Sequence, residues 1–400
     1  MISFLKSIYH WCLAFLGNVI YGNPSRKIFV IGITGTKGKS TVVELINAIL
    51  EKAGKKTALT SSIRFKIDEE NQKNTTGNTM PGRLALQSFL RKAVNKKCEY
   101  AIIEATSQGF GQYRHKFIDW DAAIFLNLHP EHIESHGSFE KYRNAKLSFF
   151  EYVATHRRKL FFINEADENA RYFAEASGSG EVVFFSREKF IENELNKGSE
   201  SIGDWLSSDF NLENAAAATA FAKSQGISWS VIKQALAFFK GVPGRMETIQ
   251  PEPFRVVVDY AHTPDSLEQI YKSLAATPRD SGKKLICVLG AAGGGRDKWK
   301  RPVMGKVASR YCKLIFLTDE DPYDENPTAI LDEIASGILP GPKVFKVLDR
   351  KEAIRQALDS AKPGDTAILT GKGSETSIHI AHGKTISWNE AEVVRDILRK

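Results

Sequence analysis

Residues Ile28 to Leu50 read IFVIGITGTKGKSTVVELINAIL, and the rest of the chain is organised around them. An apolar, β-branched run from Ile28 to Ile33 has the character of a strand buried on both faces. It meets a short loop, Thr34, Gly35, Thr36, Lys37, Gly38, Lys39 and Ser40. Apolar residues at helical spacing then begin at Thr41, which predicts a helix over Thr41 to Ala53. A strand, a glycine loop ending in Gly-Lys-Ser and a helix together form a phosphate cradle. Gly35 and Gly38 permit the tight turn that aims amide N–H groups at phosphate oxygens, and the helix start adds its positive dipole end. Lys39 supplies a point charge for the β- and γ-phosphates, and Ser40 a hydroxyl ligand for the Mg²⁺ that accompanies the nucleotide. Ile33 stands where the strict pattern has glycine, so the subtype is TGTxGK[ST]. The competing reading is a glycine-rich turn with no ligand.

Four hundred residues exceed what one hydrophobic core usually supports, which predicts two main domains. A formal charge of +8 favours anionic ligands or an anionic membrane surface. No block of Lys and Arg forms a nucleic-acid arm, so small molecules are the expected partners. Cys12, Cys98, Cys287 and Cys312 are far apart without a CxxC pair, which argues against a zinc knuckle and a disulfide scaffold and favours a reducing cytoplasm. Residues 1–21 are largely apolar but interrupted by Lys6, His10 and Asn18. They are too short and mixed for a confident spanning helix. A helix packed on the body of the protein is the first expectation and peripheral membrane contact the second.

Beyond the cradle, Lys56 to Arg64 is a strand candidate, Asn71 to Arg83 is turn-rich, and Leu84 to Val94 has helical spacing. Glu99 to Ala105 and Ala122 to Leu128 are further buried strands, and ligands of open α/β sheets bind outside such carboxyl ends. The groups expected there are Glu104, Thr106, Gln112 and Arg114 after the first, and Asn127, His129, Glu131, His132 and His136 after the second. Gly241 to Gly244 marks a hinge. A second alternating α/β section follows, Rossmann-like in rhythm. The expected divisions are a helical segment at 1–26, an ATP-binding P-loop domain with a mostly parallel sheet at 27–243, and a C-terminal α/β domain at 244–400. Gly293 to Arg296 has the look of another phosphate loop, although such a string is as often a plain turn.

Seven strings occur in order: TGTKGKS, EATSQGFGQYR, NLHPEHIESHGSFEKYRNAK, GVPGRME, DYAHTPDSLE, GGGRDKWKRPVM and GKGSE. Together they resemble the Mur ligase family, most closely its UDP-N-acetylmuramoyl-tripeptide synthetases of the MurE type. The resemblance implies ATP-dependent ligation in cell-wall peptidoglycan synthesis. A substrate carboxylate attacks the γ-phosphate, and an amine then displaces phosphate from the resulting acyl phosphate.

It also implies roles for residues. Thr34 to Thr41 would hold the ATP phosphates. Ser40 and Glu104 would hold one Mg²⁺, and His132 with Lys146, carbamylated by carbon dioxide, a second. Asn214 would meet adenine, and Arg245, Asp259 and His262 the phosphates and ribose. Thr79, Thr106, Gln112 and Arg114 would contact the acceptor, and Arg296, Asp321, Gly371 and Glu375 the incoming amino acid. Relative to the family, the cradle begins after about thirty residues, too few for the domain that holds the uridine nucleotide. The acceptor could therefore lack that nucleotide or be lipid-linked. The arginine of the diaminopimelate-reading DNPR string is missing from the aligned Glu320-Asp321-Pro322-Tyr323, and the two carboxylates there would suit lysine or another diamine. A monomer is expected. The alternatives are a polyglutamate-forming ligase, such as a folylpolyglutamate synthase, and a non-catalytic nucleotide-binding module.

Overall fold

The computed structural model describes residues 2–131, 137–195, 204–275, 282–295 and 298–399. The chain divides into two compact units, Met1–Lys240 and Gly241–Lys400.

The first unit is built on β1 (Phe29–Thr34), β2 (Thr57–Thr60), β3 (Arg64–Ile67), β4 (Glu70–Lys73), β5 (Tyr100–Glu104), β6 (Ala122–Phe125), β7 (Leu160–Asn164) and β8 (Glu181–Phe185). They form one sheet in the order β4-β3-β2-β5-β1-β6-β7-β8. The sheet is parallel apart from β3 and β4, which run antiparallel at one edge. Its described helices are α1 (Ile2–Ile20), α2 (Lys39–Lys52), α3 (Arg83–Asn95), α4 (Ser107–Gly111), α5 (Phe139–Val153), α6 (Ala170–Ala176), α7 (Arg187–Phe190), α8 (Asp209–Ser224) and α9 (Trp229–Phe238).

β1 lies between β5 and β6, so both its faces are covered, as its unbroken apolar run requires. Val30 points into one core with Ile103, Phe125 and Phe149, and Ile31 and Ile33 into the other with Ile102, Ile124 and Phe162. On that second face α2 buries Val42, Leu45, Ile46 and Ile49. Each such aliphatic side chain contributes roughly 1.5–3 kcal/mol of burial, so Ile46→Ala alone would cost about 2–5 kcal/mol. On the first face Gly32 matters most. A Cβ there would lie 2.4 Å from the Phe149 ring, so glycine is what lets α5 approach the strand.

The second unit carries β9 (Glu247–Gln250), β10 (Arg255–Val258), β11 (Leu285–Leu289), β12 (Leu314–Leu317), β13 (Lys343–Lys346) and β14 (Thr366–Leu369) in the order β13-β12-β11-β14-β10-β9. Only β9 is antiparallel within that sheet. A separate ribbon pairs β15 (Ser377–His379) with β16 (Thr385–Ser387). The helices are α10 (Pro264–Leu274), α11 (Lys300–Tyr311), α12 (Pro327–Ala335), α13 (Arg350–Asp359) and α14 (Glu390–Leu398).

Several expectations change. The strand foreseen over Lys56 to Arg64 breaks at Ser61-Ser62 and turns back as β3, so the polar stretch after it contains the exposed strand β4. Helix α2 starts two residues before Thr41, at Lys39. Cys287 and Cys312 form a disulfide with a Cα–Cα distance of 6.0 Å, against the expectation drawn from their sequence separation. Parallel pairing of β11 with β12 brings Cys287 beside the residue that follows α11, a neighbourhood that spacing does not reveal. Of the Gly293 to Arg296 string, Gly294 and Gly295 form a turn that holds the protein's own anion. The Gly295 N–H donates to Glu325 Oε1 at 2.7 Å, and Glu325 also pairs with Lys298 and Arg301. Among the described residues no helix is long and apolar enough to cross a membrane.

Candidate active site

β1, β5 and β6 end side by side, with Ile33 opposite Glu104 and Thr34 opposite Phe125. The loop after β1 therefore emerges between two other strand ends, where an α/β sheet gathers its ligands. Gly38 caps α2 with φ at +81°, a left-handed conformation, and no side chain caps that first turn. The turn's N–H groups and the dipole of α2 point along the loop. Asn127 shapes the loop from β6: its Oδ1 accepts from the amides of Thr36 at 3.1 Å and Lys37 at 2.8 Å. The Thr36 hydroxyl lies 3.1 Å from the Tyr142 phenol, and Lys37 pairs with Glu131 at 3.2 Å.

Two lysines converge on one carbonyl. Lys39 Nζ donates to Gly35 O at 3.1 Å and Thr36 O at 2.9 Å, and Lys146 Nζ donates to Gly35 O at 2.8 Å. Lys146 also reaches Thr34 Oγ1 at 3.4 Å and lies over the Tyr142 ring. It stands three residues before Phe149 on α5, so the ring packed over Gly32 sets the reach of the lysine. Lys146 is fully buried, and among the described residues it has no carboxylate partner in ion-pair range. Burial first, and then the charge of Lys39, hold its amine well below the ordinary lysine range, with Glu131 and Glu104 opposing.

Ser40 and Glu104 meet beside the loop. Glu104 Oε2 accepts from the Ser40 hydroxyl and from the Ser62 amide, each at 2.9 Å, and the Ser40 and Ser62 hydroxyls are 2.9 Å apart. A buried carboxylate and a serine hydroxyl at hydrogen-bond distance are hard oxygen donors of the kind Mg²⁺ takes, so this pair fits the implied ion. His132 lies outside the described residues. Asn214, on α8, packs against the loop, since a Cβ on Gly38 would lie 2.2 Å from its Oδ1. Thr41 is buried in the first turn of α2.

The residues foreseen for the acceptor also come together. Arg114 donates to Gln112 Oε1 at 2.8 Å, to Asn78 Oδ1 at 3.4 Å and to the Met80 carbonyl, which ties the loop holding Thr79 to Gln112. Thr106 caps α4 by accepting from the Gly109 amide, and Gly109 has no room for a Cβ beside Met80 Sδ. Arg83 donates to Gln112 O at 2.7 Å and touches His10 of α1. Burial lowers the pKa of both Arg83 and Arg114, and Arg114 adds its repulsion at Arg83.

In the second unit, Arg245 stacks on the Tyr260 ring at 4.2 Å, His262 Nδ1 is 2.8 Å from Tyr260 O, and Asp259 accepts from the amides of Met246 and Ala261 at 2.7 Å each. Gly244 passes so close to Gly373 and Ser374 that a Cβ would meet the Ser374 amide at 2.2 Å, which packs the GVPGRME and GKGSE strings together. Glu375 accepts from the Tyr260 hydroxyl at 3.3 Å and pairs with Lys372 at 2.6 Å, and Lys372 pairs with Asp321 at 2.9 Å. Lys372 thus bridges Asp321 and Glu375, two of the residues foreseen for the incoming amino acid. Glu320 is the carboxylate left over. Its Oε2 is buried without a hydrogen bond and faces Gly371, where φ is +103° and a Cβ would lie 2.2 Å away. Arg296 lies outside the described residues.

Ser62, Tyr142 and Lys372 were not foreseen. Ser62 was hidden by reading one strand through the turn that contains it. Tyr142 and Lys372 lie inside quoted motifs, but nothing in their spacing shows that they face the loop or Asp321.

The sequence matches the Mur ligase middle domain over residues 33–222 and the Mur ligase glutamate ligase domain over residues 244–373. It is 35% identical to the UDP-N-acetylmuramoyl-L-alanyl-D-glutamate--2,6-diaminopimelate ligase of Syntrophomonas wolfei, over 97% of this chain and 81% of that protein. It is also 35% identical to the UDP-N-acetylmuramyl-tripeptide synthetase of Roseiflexus sp., over 96% and 81%. A solved UDP-N-acetylmuramoyl-L-alanyl-D-glutamate--2,6-diaminopimelate ligase superposes with a TM-score of 0.60 at 27% identity, over 93% of this chain and 78% of that one. The folylpolyglutamate synthase of Mycobacterium tuberculosis shares the fold with a TM-score of 0.66 at 13% identity. With two matched domains and relatives aligned over nearly its whole length, this chain belongs to the Mur ligase family.

Proposed function

We propose that this protein is an ATP-dependent carboxylate–amine ligase that adds an amino acid to a muramyl-peptide-like acceptor in peptidoglycan synthesis. The supporting observation is the gathering of Lys39, Lys146, Ser40 and Glu104 around the Gly35 loop, with Ser40 Oγ and Glu104 Oε2 2.9 Å apart and both lysines on one carbonyl.

The amides at the start of α2 would receive the phosphates of ATP, and Lys39 would neutralise charge building on the transferred phosphoryl group. Ser40 and Glu104 would hold a Mg²⁺, which when bound acts as a Lewis acid on the phosphoryl oxygens. Lys146 would be carbamylated: its neutral Nζ attacks the carbon of CO₂, a proton leaves the nitrogen, and the carbamate anion becomes a second ligand group, with His132 as its expected neighbour. Burial against the loop suits this lysine to the role, because a neutral amine is the nucleophile the reaction needs. Asn214 would meet the adenine. In the second unit Arg245, Asp259 and His262 would serve the nucleotide, and Gly371, Glu375, Asp321 and Arg296 the amino acid. Arg114, Gln112, Thr106 and Thr79 would hold the acceptor. The protein would work as a monomer on the cytoplasmic side of the membrane, with residues 1–21 in peripheral contact with it.

The test is phosphate release with candidate muramyl peptides, with and without the uridine nucleotide, and a panel of amino acids that includes diaminopimelate and lysine. Release should require carboxylate and amine together, and Lys39→Ala should abolish it. ATP binding without turnover under every combination would refute the ligase reading. Diaminopimelate stimulating best would refute the preference for lysine or another diamine.

A further inference from the structure

Helix α1 is packed the wrong way round for a helix of a water-soluble surface. It docks on α3, and apart from Leu13 the residues it turns away from solvent, Ser7, His10, Ala14, Gly17 and Asn18, are small or polar and recur at helical spacing. Gly17 makes the close approach, with a Cβ there 3.2 Å from Leu84. Arg91 anchors the end of the helix by donating to Tyr21 O at 2.6 Å and Gly22 O at 2.8 Å. The opposite half of the helix presents Leu5, Ile8, Tyr9, Leu16, Val19 and Ile20 to solvent, and at its edge the rings of Trp11 and Phe15 rest against Phe117 while staying half exposed; all eight are between 44 and 61% exposed. These are eight of the eighteen exposed large apolar side chains among the described residues, so the patch is concentrated and not the ordinary scatter of a surface.

We infer that this face is a docking surface for an anionic lipid bilayer, in whose plane α1 lies. Two observations select lipid as the occupant. The first is charge: there is no Asp or Glu before Glu44, whereas Lys6 lies on the helix and Lys27 follows it, and Arg83, Arg91 and Lys92 lie on the acid-free α3; Arg26 is the cation here that is already paired, with Asp119. Such a surround complements anionic headgroups. The second is the make-up of the face, whose half-circumference carries no charged side chain and includes Trp and Tyr, residues that sit at the boundary between headgroup and acyl chain. The helix is not long and apolar enough to cross a membrane, so it lies on one. On its inner face His10 touches Arg83, which binds the Gln112 carbonyl beside Arg114. An acceptor carried by the membrane would thus meet that cluster at the lipid surface, a corollary that rests on the ligase reading.

The experiment is flotation of the full chain with vesicles of phosphatidylcholine alone and of phosphatidylcholine with phosphatidylglycerol, alongside light scattering without lipid. The wild type should float with the anionic vesicles and not the neutral ones. Leu16→Glu with Val19→Glu should lower the bound fraction about tenfold, while the control Leu339→Glu, an exposed leucine of the second unit, should leave it unchanged. Lys39→Ala should float like the wild type, so failure of the ligase reading and failure of this one are separable. Flotation with neither vesicle, or flotation indifferent to the paired substitution, overturns the inference. A dimer that the paired substitution dissociates, without lipid binding, overturns it in favour of a second copy of the chain.

Discussion

Replacing Gly38 by alanine tests the geometry of the loop and the placement of Asn214 together. Two costs are separable in the structure. The left-handed φ of +81° penalises any side chain by about 1–2 kcal/mol. The new Cβ would also lie 2.2 Å from Asn214 Oδ1, so that amide must retreat by roughly 1 Å to reach ordinary contact. Gly54, just past the end of α2, supplies the control, because its φ of +77° is nearly the same and nothing lies within 4 Å of its would-be Cβ. Gly54→Ala should cost only the backbone term, and Gly38→Ala about 1–2 kcal/mol more. Asn214→Ala introduced together with Gly38→Ala should recover most of that excess, giving a coupling on the order of 1 kcal/mol. Urea unfolding of the four variants, followed through the transition of the first unit, measures these terms. ATP titration by calorimetry should show weaker binding in Gly38→Ala, since the amides that follow Gly38 are displaced with it. Equal costs at Gly38 and Gly54, with no relief from Asn214→Ala, would refute the placement of Asn214 on the cradle.

Other consequences belong to the second unit. Arg350 and Glu390 form a fully buried ion pair, with further bonds from Arg350 to Asp319 O and Thr370 O. Arg350→Met should therefore destabilise this unit by about 3–5 kcal/mol in urea unfolding, and Arg350→Met with Glu390→Leu should recover much of the loss. Burial raises the pKa of Glu320 to about 7 and of Asp319 to about 6. Both are acids whose folded pKa exceeds the unfolded value, so over that interval the folded state binds more protons and stability falls as pH rises from about 4 to about 7. Glu320→Gln should flatten the upper part of that slope, by roughly 3 kcal/mol at most between pH 5 and pH 8. An unchanged slope would show that Glu320 titrates normally.

The sequence made the cradle legible because its features are local: a β-branched run, glycines at a turn and an amphipathic helix follow one another within 23 residues from Ile28 to Leu50. The convergence of Glu104 and Asn127 on it was legible at the level of strand ends, since parallel strands deliver their C-termini to one edge, whereas Lys146, on α5, was marked only by the family resemblance. What spacing could not reveal depends on close approach between distant elements. Gly32 reads as one more small residue in a strand until Phe149 is seen over it. Lys372 reads as part of a glycine string until it is seen between Asp321 and Glu375. The hairpin of β3 and β4 escaped because β4, with sequence ENQK, is exposed throughout and has no apolar alternation to announce it. Helix α1 was legible as a helix, but which face docks follows from Gly17 meeting Leu84 and Gln87 of α3, and sequence periodicity alone would have buried the larger side chains.

The two lysines at Gly35 also constrain one another. Both donate to a single carbonyl oxygen, at 3.1 and 2.8 Å, so two ammonium groups would repel at short range in surroundings with little water to screen them. Only one of them is easily kept charged, and the buried one is Lys146. Lys39 then remains the cation suited to phosphate, while burial and the charge of Lys39 both disfavour the ammonium form of Lys146. The proposed carbamate resolves this conflict, because it reverses the sign at Lys146 and turns the repulsion from Lys39 into attraction. Lys146→Met keeps the chain's bulk and removes both the amine and any carbamate. It should leave the fold intact and relieve the repulsion, yet lose phosphate release; retained release would show that no carbamate is needed there.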